Sequence, residues 1–109
     1  MSKILEIPSS QVKKYLSENS GVVLIDVRTK EEWDTIGMPN GEPLGMSTFF
    51  ISYQIGQERI LNENFVQEFK DLNIEKTKKI LFICRSGVRS LNTAKIAADL
   101  GYEAINILG

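Results

Sequence analysis

Ile80-Leu81-Phe82-Ile83-Cys84-Arg85-Ser86-Gly87-Val88-Arg89-Ser90 is the stretch around which the chain is organised. Four apolar residues run straight into the sole cysteine. A short polar loop with one glycine follows, and Leu91 to Leu100 then reads as helix. The apolar run has the length and composition of a strand buried on both faces. A strand that delivers a cysteine to a helix N-terminus can make a reactive thiolate, because free N–H groups and the helix dipole favour negative charge there.

Working outward, a second buried strand is expected at Val22-Val23-Leu24-Ile25, a continuous and β-branched-rich run after Gly21. Asp26-Val27-Arg28 closes it. Thr29 with Glu32 three residues on has the form of a capping box, and Glu31 and Glu32 suit the positive end of the following helix. Trp33 and Ile36 share one face of that helix, and Gly37, Pro39 and Gly41 stop it. Trp33 reads as helix-to-sheet packing.

Toward the N-terminus, Lys3 to Ile7 alternates as a short strand ended by Pro8. Ser9 or Ser10 can cap a helix running to about Asn19, with Val12, Tyr15 and Leu16 as its buried stripe. Residues 37–62 are the least periodic. Leu44 to Ile51 is apolar enough for a strand, with Phe49 and Phe50 partly in the core, and Gln54 to Leu61 reads as a surface excursion. Asn62 or Asn64 caps a helix to about Leu72, with Phe65, Phe69 and Leu72 inward. After the cysteine loop, Leu91, Ala94, Ala97, Ala98 and Leu100 let a helix sit close on a sheet, and Gly101 suits its left-handed C-cap. Ala104 to Leu108 is the last strand.

Strands that alternate with helices imply βαβ units, and hence an α/β fold with a central parallel sheet of about five strands and helices on both faces. Ligands of such sheets bind beyond the carboxyl ends of the strands. Asp26, Arg28 and Cys84 all stand at such ends and are expected to share one rim, Asp26 and Arg28 in an orienting role.

The 109 residues make one domain, residues 1–109, large enough for a single core. A formal charge of −1 is wrong for nucleic acid or an anionic membrane, either of which needs a basic face. No apolar run nears the roughly 20 residues of a membrane span, and the N-terminus lacks the order of a signal peptide. One cysteine makes no internal disulfide, so a cytoplasmic home is expected. The chain has no histidine. That excludes His-based triads, Cys–His proteases and most zinc sites, so neither metal nor cofactor is expected.

A lone cysteine ending a strand is ordinarily core. Arg-Ser-Gly-Val-Arg-Ser beside it is not core composition. If the loop curls over the sulfur, its N–H groups form an anion-binding nest. Gly87 lets the backbone approach closely, and Arg85 and Arg89 add positive charge. Together these should draw the thiol from its ordinary value near 8.5 to below about 7. Arg85 can equally be a solvated loop residue. Arg89 opposes the helix dipole and needs a further reason to be there.

Cys84-Arg85-Ser86-Gly87-Val88-Arg89-Ser90 resembles the active-site loop of the rhodanese (sulfurtransferase) family, a cysteine, four residues and an arginine wrapped as a cradle. Val23 to Arg28 with Glu31, Glu32 and Trp33 resembles the family's DVR strand and acidic short helix. Ala97 to Tyr102 through Ile105 to Gly109 resembles its last helix–strand unit, and Asn62 to Phe69 the pre-strand helix of a bacterial subgroup. The resemblance spans about residues 3–109. It implies that Cys84 takes a sulfane sulfur from a donor such as thiosulfate and passes it from a persulfide to cyanide, a thiol or a protein thiol. Arg85, Ser86, Gly87, Val88 and Arg89 would hold the outer sulfur with their N–H groups.

Two departures stand out. Gly37-Met38-Pro39-Asn40-Gly41 replaces the family's Gly-His-Ile step at the pocket edge. Members usually continue past the final strand into a closing helix, whereas this sequence stops at Gly109; a truncated chain and a short form both remain open. Two other functions compete. A cysteine phosphatase or arsenate reductase places five residues between Cys and Arg, where this loop has four and Ser90 holds the wider position. A sulfur relay or binding module acting on a protein partner would use the same cysteine.

Overall fold

The computed structural model describes residues 4–37, 46–56 and 58–108. Its elements in order are β1 (Leu5–Pro8), a 3-10 turn (Ser9–Gln11), α1 (Val12–Glu18), β2 (Val22–Asp26), α2 (Lys30–Ile36) and β3 (Ser47–Phe50). Then come β4 (Gln54–Ile55), β5 (Ile60–Leu61), α3 (Phe65–Asp71), β6 (Lys79–Ile83), α4 (Val88–Asp99) and β7 (Glu103–Leu108). Five strands form one parallel sheet in the order β1-β7-β6-β2-β3. The expected five-stranded parallel sheet is therefore present. No described helix is long and apolar enough to cross a membrane.

Side chains alternate across the sheet and sort into two cores. On one face Val23, Ile25, Ile80 and Phe82 meet Phe65 and Phe69 of α3 and Ala94 and Ala97 of α4. On the other, Val22, Leu24, Leu81, Ile105 and Ile107 meet Val12, Tyr15 and Leu16 of α1. All five residues of β2 are buried, as a two-sided strand requires. Cys84, two residues beyond Phe82, stays on the α3–α4 face.

Several local expectations hold and several are corrected. Thr29 and Glu32 form both bonds of the capping box. Trp33 packs edge-on against Phe50 with ring centroids 5.4 Å apart. Gly101, at φ 97°, closes α4: its N–H donates to the Ala98 carbonyl and the Tyr102 N–H reaches back to Ala97. Neither Ser9 nor Ser10 caps α1, because the chain enters it through the 3-10 turn. Asn64 makes no side-chain cap on α3 either; Asn62 Oδ1 accepts the Asn64 N–H instead.

The excursion at Gln54 to Leu61 contains a two-stranded antiparallel hairpin, β4–β5. The strand expected from Leu44 begins at Ser47 within the described residues, while Leu44 and Gly45, like the pocket-edge stretch from Met38 to Gly41, lie outside them. Helix α4 starts at Val88, three residues earlier than the apolar spacing suggests.

Candidate functional site

The central strand β6 ends at Ile83, whose carbonyl accepts the Val27 N–H at 3.0 Å and so binds it to the end of β2. Cys84 follows with only 4% of its surface exposed. The chain turns at Gly87, which holds φ 88° and opens α4. This left-handed conformation is costly for any residue with a Cβ. It directs the Gly87 N–H to Cys84 Sγ at 3.1 Å, and the Ser90 N–H reaches the same sulfur at 3.3 Å. Ser90 Oγ lies 3.3 Å from Sγ as well.

Burial pushes the Cys84 thiol up, but the Ser90 hydroxyl and the N–H groups of Ser90, Gly87 and Ser86 together outweigh it, leaving the thiol below its ordinary value. That is the direction expected from a loop curled over the sulfur. The loop itself is shorter than expected. Val88, Arg89 and Ser90 form the first turn of α4, and the side chains of Arg85, Ser86 and Val88 face solvent.

Arg89 has a different partner from the one its position suggested. Its guanidinium is buried and bidentate on Glu32 of α2, with Nη1 to Oε1 at 2.6 Å and Nη2 to Oε2 at 3.0 Å. The same carboxylate completes the α2 cap through Thr29, and Arg59 of the hairpin approaches it at 3.6 Å. Hydrogen bonds from Arg89 hold Glu32 down to about 2 against the opposing effect of burial, and Thr29 assists. Reciprocally, Glu32 raises Arg89 above its usual range, against burial. A carboxylate from a neighbouring helix thus explains a cation in the first turn of α4.

Asp26, fully buried at the end of β2, is bound by Arg28 through its backbone N–H at 2.9 Å and through Nε and Nη2. Arg28 Nη2 also donates to the Gly37 carbonyl at 2.7 Å, fastening the end of α2. Asp26, Arg28, Ile36, Gly37, Ile83, Cys84 and Arg85 line one open cleft of about 470 Å³. The shared rim expected from the strand ends is therefore formed, and the sulfur lies in its wall.

Three residues of this neighbourhood escaped the sequence reading as site residues. Glu32 was legible only as a cap. Ser90 carried only its spacing from the cysteine. Asn106, fully buried in β7, donates from Nδ2 to the Gly87 carbonyl at 3.0 Å and accepts the Ser90 hydroxyl. A lone asparagine in an apolar strand was its one signal, since a buried amide needs partners.

Residues 9–109 match the family model described as Rhodanese-like domain. The chain belongs to the rhodanese-like domain family. Among relatives of this rhodanese-like domain, Uncharacterized protein RP600 of Rickettsia prowazekii is 36% identical over 101 residues, spanning 92% of this chain and 76% of that protein. The Bacillus subtilis protein YtwF, whose name assigns it as a candidate sulfurtransferase, is 29% identical across 98% of this chain and 86% of its own. The crystal structure of Rv0390 from M. tuberculosis superposes with a TM-score of 0.84 at 32% identity, covering 98% of this chain and 79% of that one.

Proposed function

We propose that this rhodanese-like domain is a sulfurtransferase that carries a sulfane sulfur on Cys84. The observation that supports it is the sulfur at the end of the central strand, sunk in a cradle that aims two N–H groups and a hydroxyl at it. In the first half-reaction the Cys84 thiolate attacks the outer sulfur of thiosulfate. A Cys–S bond forms, the S–S bond of thiosulfate breaks, and sulfite leaves with the electron pair. In the second, cyanide or a thiol attacks the outer sulfur of the persulfide, and the thiolate is released as leaving group. The N–H groups of Arg85, Ser86, Gly87, Val88 and Arg89 would hold the anionic outer sulfur, in the manner of an oxyanion hole. The cradle holds the Cys84 thiol below its ordinary value, which lessens the need for a general base.

Asp26 and Arg28 are assigned to the rim, where their mutual bonds hold α2 against the cleft. The four residues between Cys84 and Arg89 speak against phosphate-ester chemistry, whose loops characteristically place five there. A protein thiol as acceptor is the second reading. It is favoured by the solvent-facing Arg85, Ser86 and Val88, which would meet a protein partner beside the buried sulfur.

The test is intact mass after incubation with thiosulfate. Wild type should gain the mass of one sulfur atom, cyanide should remove it, and Cys84→Ser should show no gain. A wild-type protein that stays unmodified overturns the proposal. Negligible turnover with cyanide, alongside persulfide passed to a co-purified protein thiol, would establish the relay in place of the small-acceptor reading.

A further inference from the structure

Asn106 uses both hydrogens of its amide nitrogen and its amide oxygen. Nδ2 donates to the Gly87 carbonyl at 3.0 Å and to Glu6 Oε2, on the neighbouring edge strand, at 2.8 Å. A carbonyl accepts and never donates, so the amide cannot be turned over without leaving the buried Gly87 oxygen facing another oxygen. Oδ1 is thereby committed to Ser90, and Ser90 Oγ donates to it. Yet Ser90 Oγ is also 3.3 Å from Cys84 Sγ. A serine hydroxyl has one proton, and it cannot serve Asn106 and a thiolate at once.

The geometry points to Ser90 as a two-position hydroxyl at the reacting sulfur, and to Asn106 as the positioning residue that competes with that sulfur for its proton. With a neutral thiol, S–H donates to Ser90 Oγ, which donates to Asn106 Oδ1. When the thiol ionises, its proton leaves to water through the cleft. The Ser90 hydroxyl then rotates about its Cβ–Oγ bond and donates to Sγ, leaving Oδ1 without it. Ser90 keeps its own proton throughout.

In the persulfide, which is the part resting on the proposed function, the charge moves to the outer sulfur and Sγ becomes neutral. The hydroxyl returns to Asn106. Asn106 therefore raises the free thiolate in energy relative to the persulfide. It favours attack on the donor and opposes release of the thiolate to the acceptor.

The charged groups around the sulfur are Arg89 on α4 with its Glu32 from α2, Asp26 and Arg28 at the end of β2, and Arg85 in the loop. Glu6 of β1 is bound by Asn106 and loses that bond in Asn106→Ala, an effect common to both Ser90 backgrounds. The other charged groups keep their partners in the variants below.

The test is a double-mutant cycle on sulfur-free protein, reading the thiol pKa from the pH dependence of iodoacetamide alkylation. Ser90→Ala should raise it by about one unit, the scale of one hydrogen bond to a charged group. Asn106→Ala also loosens Gly87, and that effect is common to both backgrounds. In excess of it, Asn106→Ala should lower the pKa by roughly half a unit when Ser90 is present, the size of a neutral hydrogen bond. Ser90→Thr, which keeps the hydroxyl, should keep the coupling.

Equal Asn106→Ala shifts in the two backgrounds overturn the inference, and so does a Ser90→Ala protein with an unchanged thiol. Should Asn106→Ala fail to fold, Asn106→Leu fills the volume without the amide, and the Ser90→Ala measurement stands by itself. In single-turnover assays run above each protein's measured thiol pKa, where Cys84 starts as thiolate, Asn106→Ala should slow loading from thiosulfate and quicken unloading to cyanide. Equal slowing of both steps marks simple loosening of the cradle and overturns the inference. Coupling found in a protein that gains no sulfur refutes the proposed function alone, whereas normal sulfur loading without coupling refutes this inference alone.

Discussion

Arg89 stands in the first turn of α4, where the helix dipole repels a cation, and the buried Glu32 carboxylate offsets that repulsion with two charge-assisted hydrogen bonds. Removing one member leaves the other charge buried and unpaired, so Glu32→Gln should cost about 3 kcal/mol in urea unfolding at neutral pH. The same pair has a pH signature. Glu32 falls from an ordinary 4.5 to about 2 in the folded protein. Its contribution is therefore complete above the unfolded value and is lost as pH falls through the folded one. Wild type should lose about 3 kcal/mol of stability between roughly pH 5 and pH 2 from this group, and Glu32→Gln should lack that part of the acid limb. A variant with the wild-type acid limb would remove Glu32 from this role. The sequence announced Glu32 as a cap, since its partner Thr29 is three residues away. It was silent about Arg89, 57 residues on.

At the scale of elements, α2 is a seven-residue helix that is too short to be stable on its own. Its Thr29 cap, its Glu32–Arg89 link to α4 and the Arg28 bond to the carbonyl of Gly37 at its C-cap hold it at the mouth of the cleft. Thr29→Ala removes two hydroxyl bonds and should cost about 1–2 kcal/mol. Because the cap also orients Glu32, the loss should be smaller in a Glu32→Gln background, which paired urea titrations would read. Additive losses would separate the cap from the ion pair. The β4–β5 hairpin was illegible for a physical reason. Its strands are two residues long, too short to show a period, and its apolar residues Ile55, Ile60 and Leu61 are exposed instead of following a buried face. The start of α4 was misplaced because Val88 and Arg89 lack the apolar spacing by which helices are read, and Gly87 sets the boundary through its left-handed backbone.

Across the whole molecule, Phe69 joins α3 to the sheet and to the end of α4. It is 2% exposed and its ring contacts those of Phe65, Phe82 and Tyr102. Phe69→Ala should cost about 3–5 kcal/mol, a large share of the 5–15 kcal/mol by which domains are stable. Its urea midpoint should fall sharply with no change in the slope of the transition; an unaltered midpoint would mean that the α3 face is not part of the cooperative core. What the sequence by itself determined is whatever neighbours in the chain encode: buried runs for β2 and β6, the Thr29–Glu32 cap, the Gly101 stop, and a cysteine delivered to a helix start. From these the parallel sheet follows, since alternating strands and helices have few ways to bury their apolar faces. The tertiary structure alone decided which groups meet around the sulfur. Glu32 reaches Arg89 because α2 and the start of α4 share the carboxyl edge of the sheet, and Asn106 reaches Gly87 and Ser90 because β7 pairs beside β6. Hydrogen bonds depend on distance and direction in space, and between residues far apart in the chain only the register of strands and the packing of helices supply either.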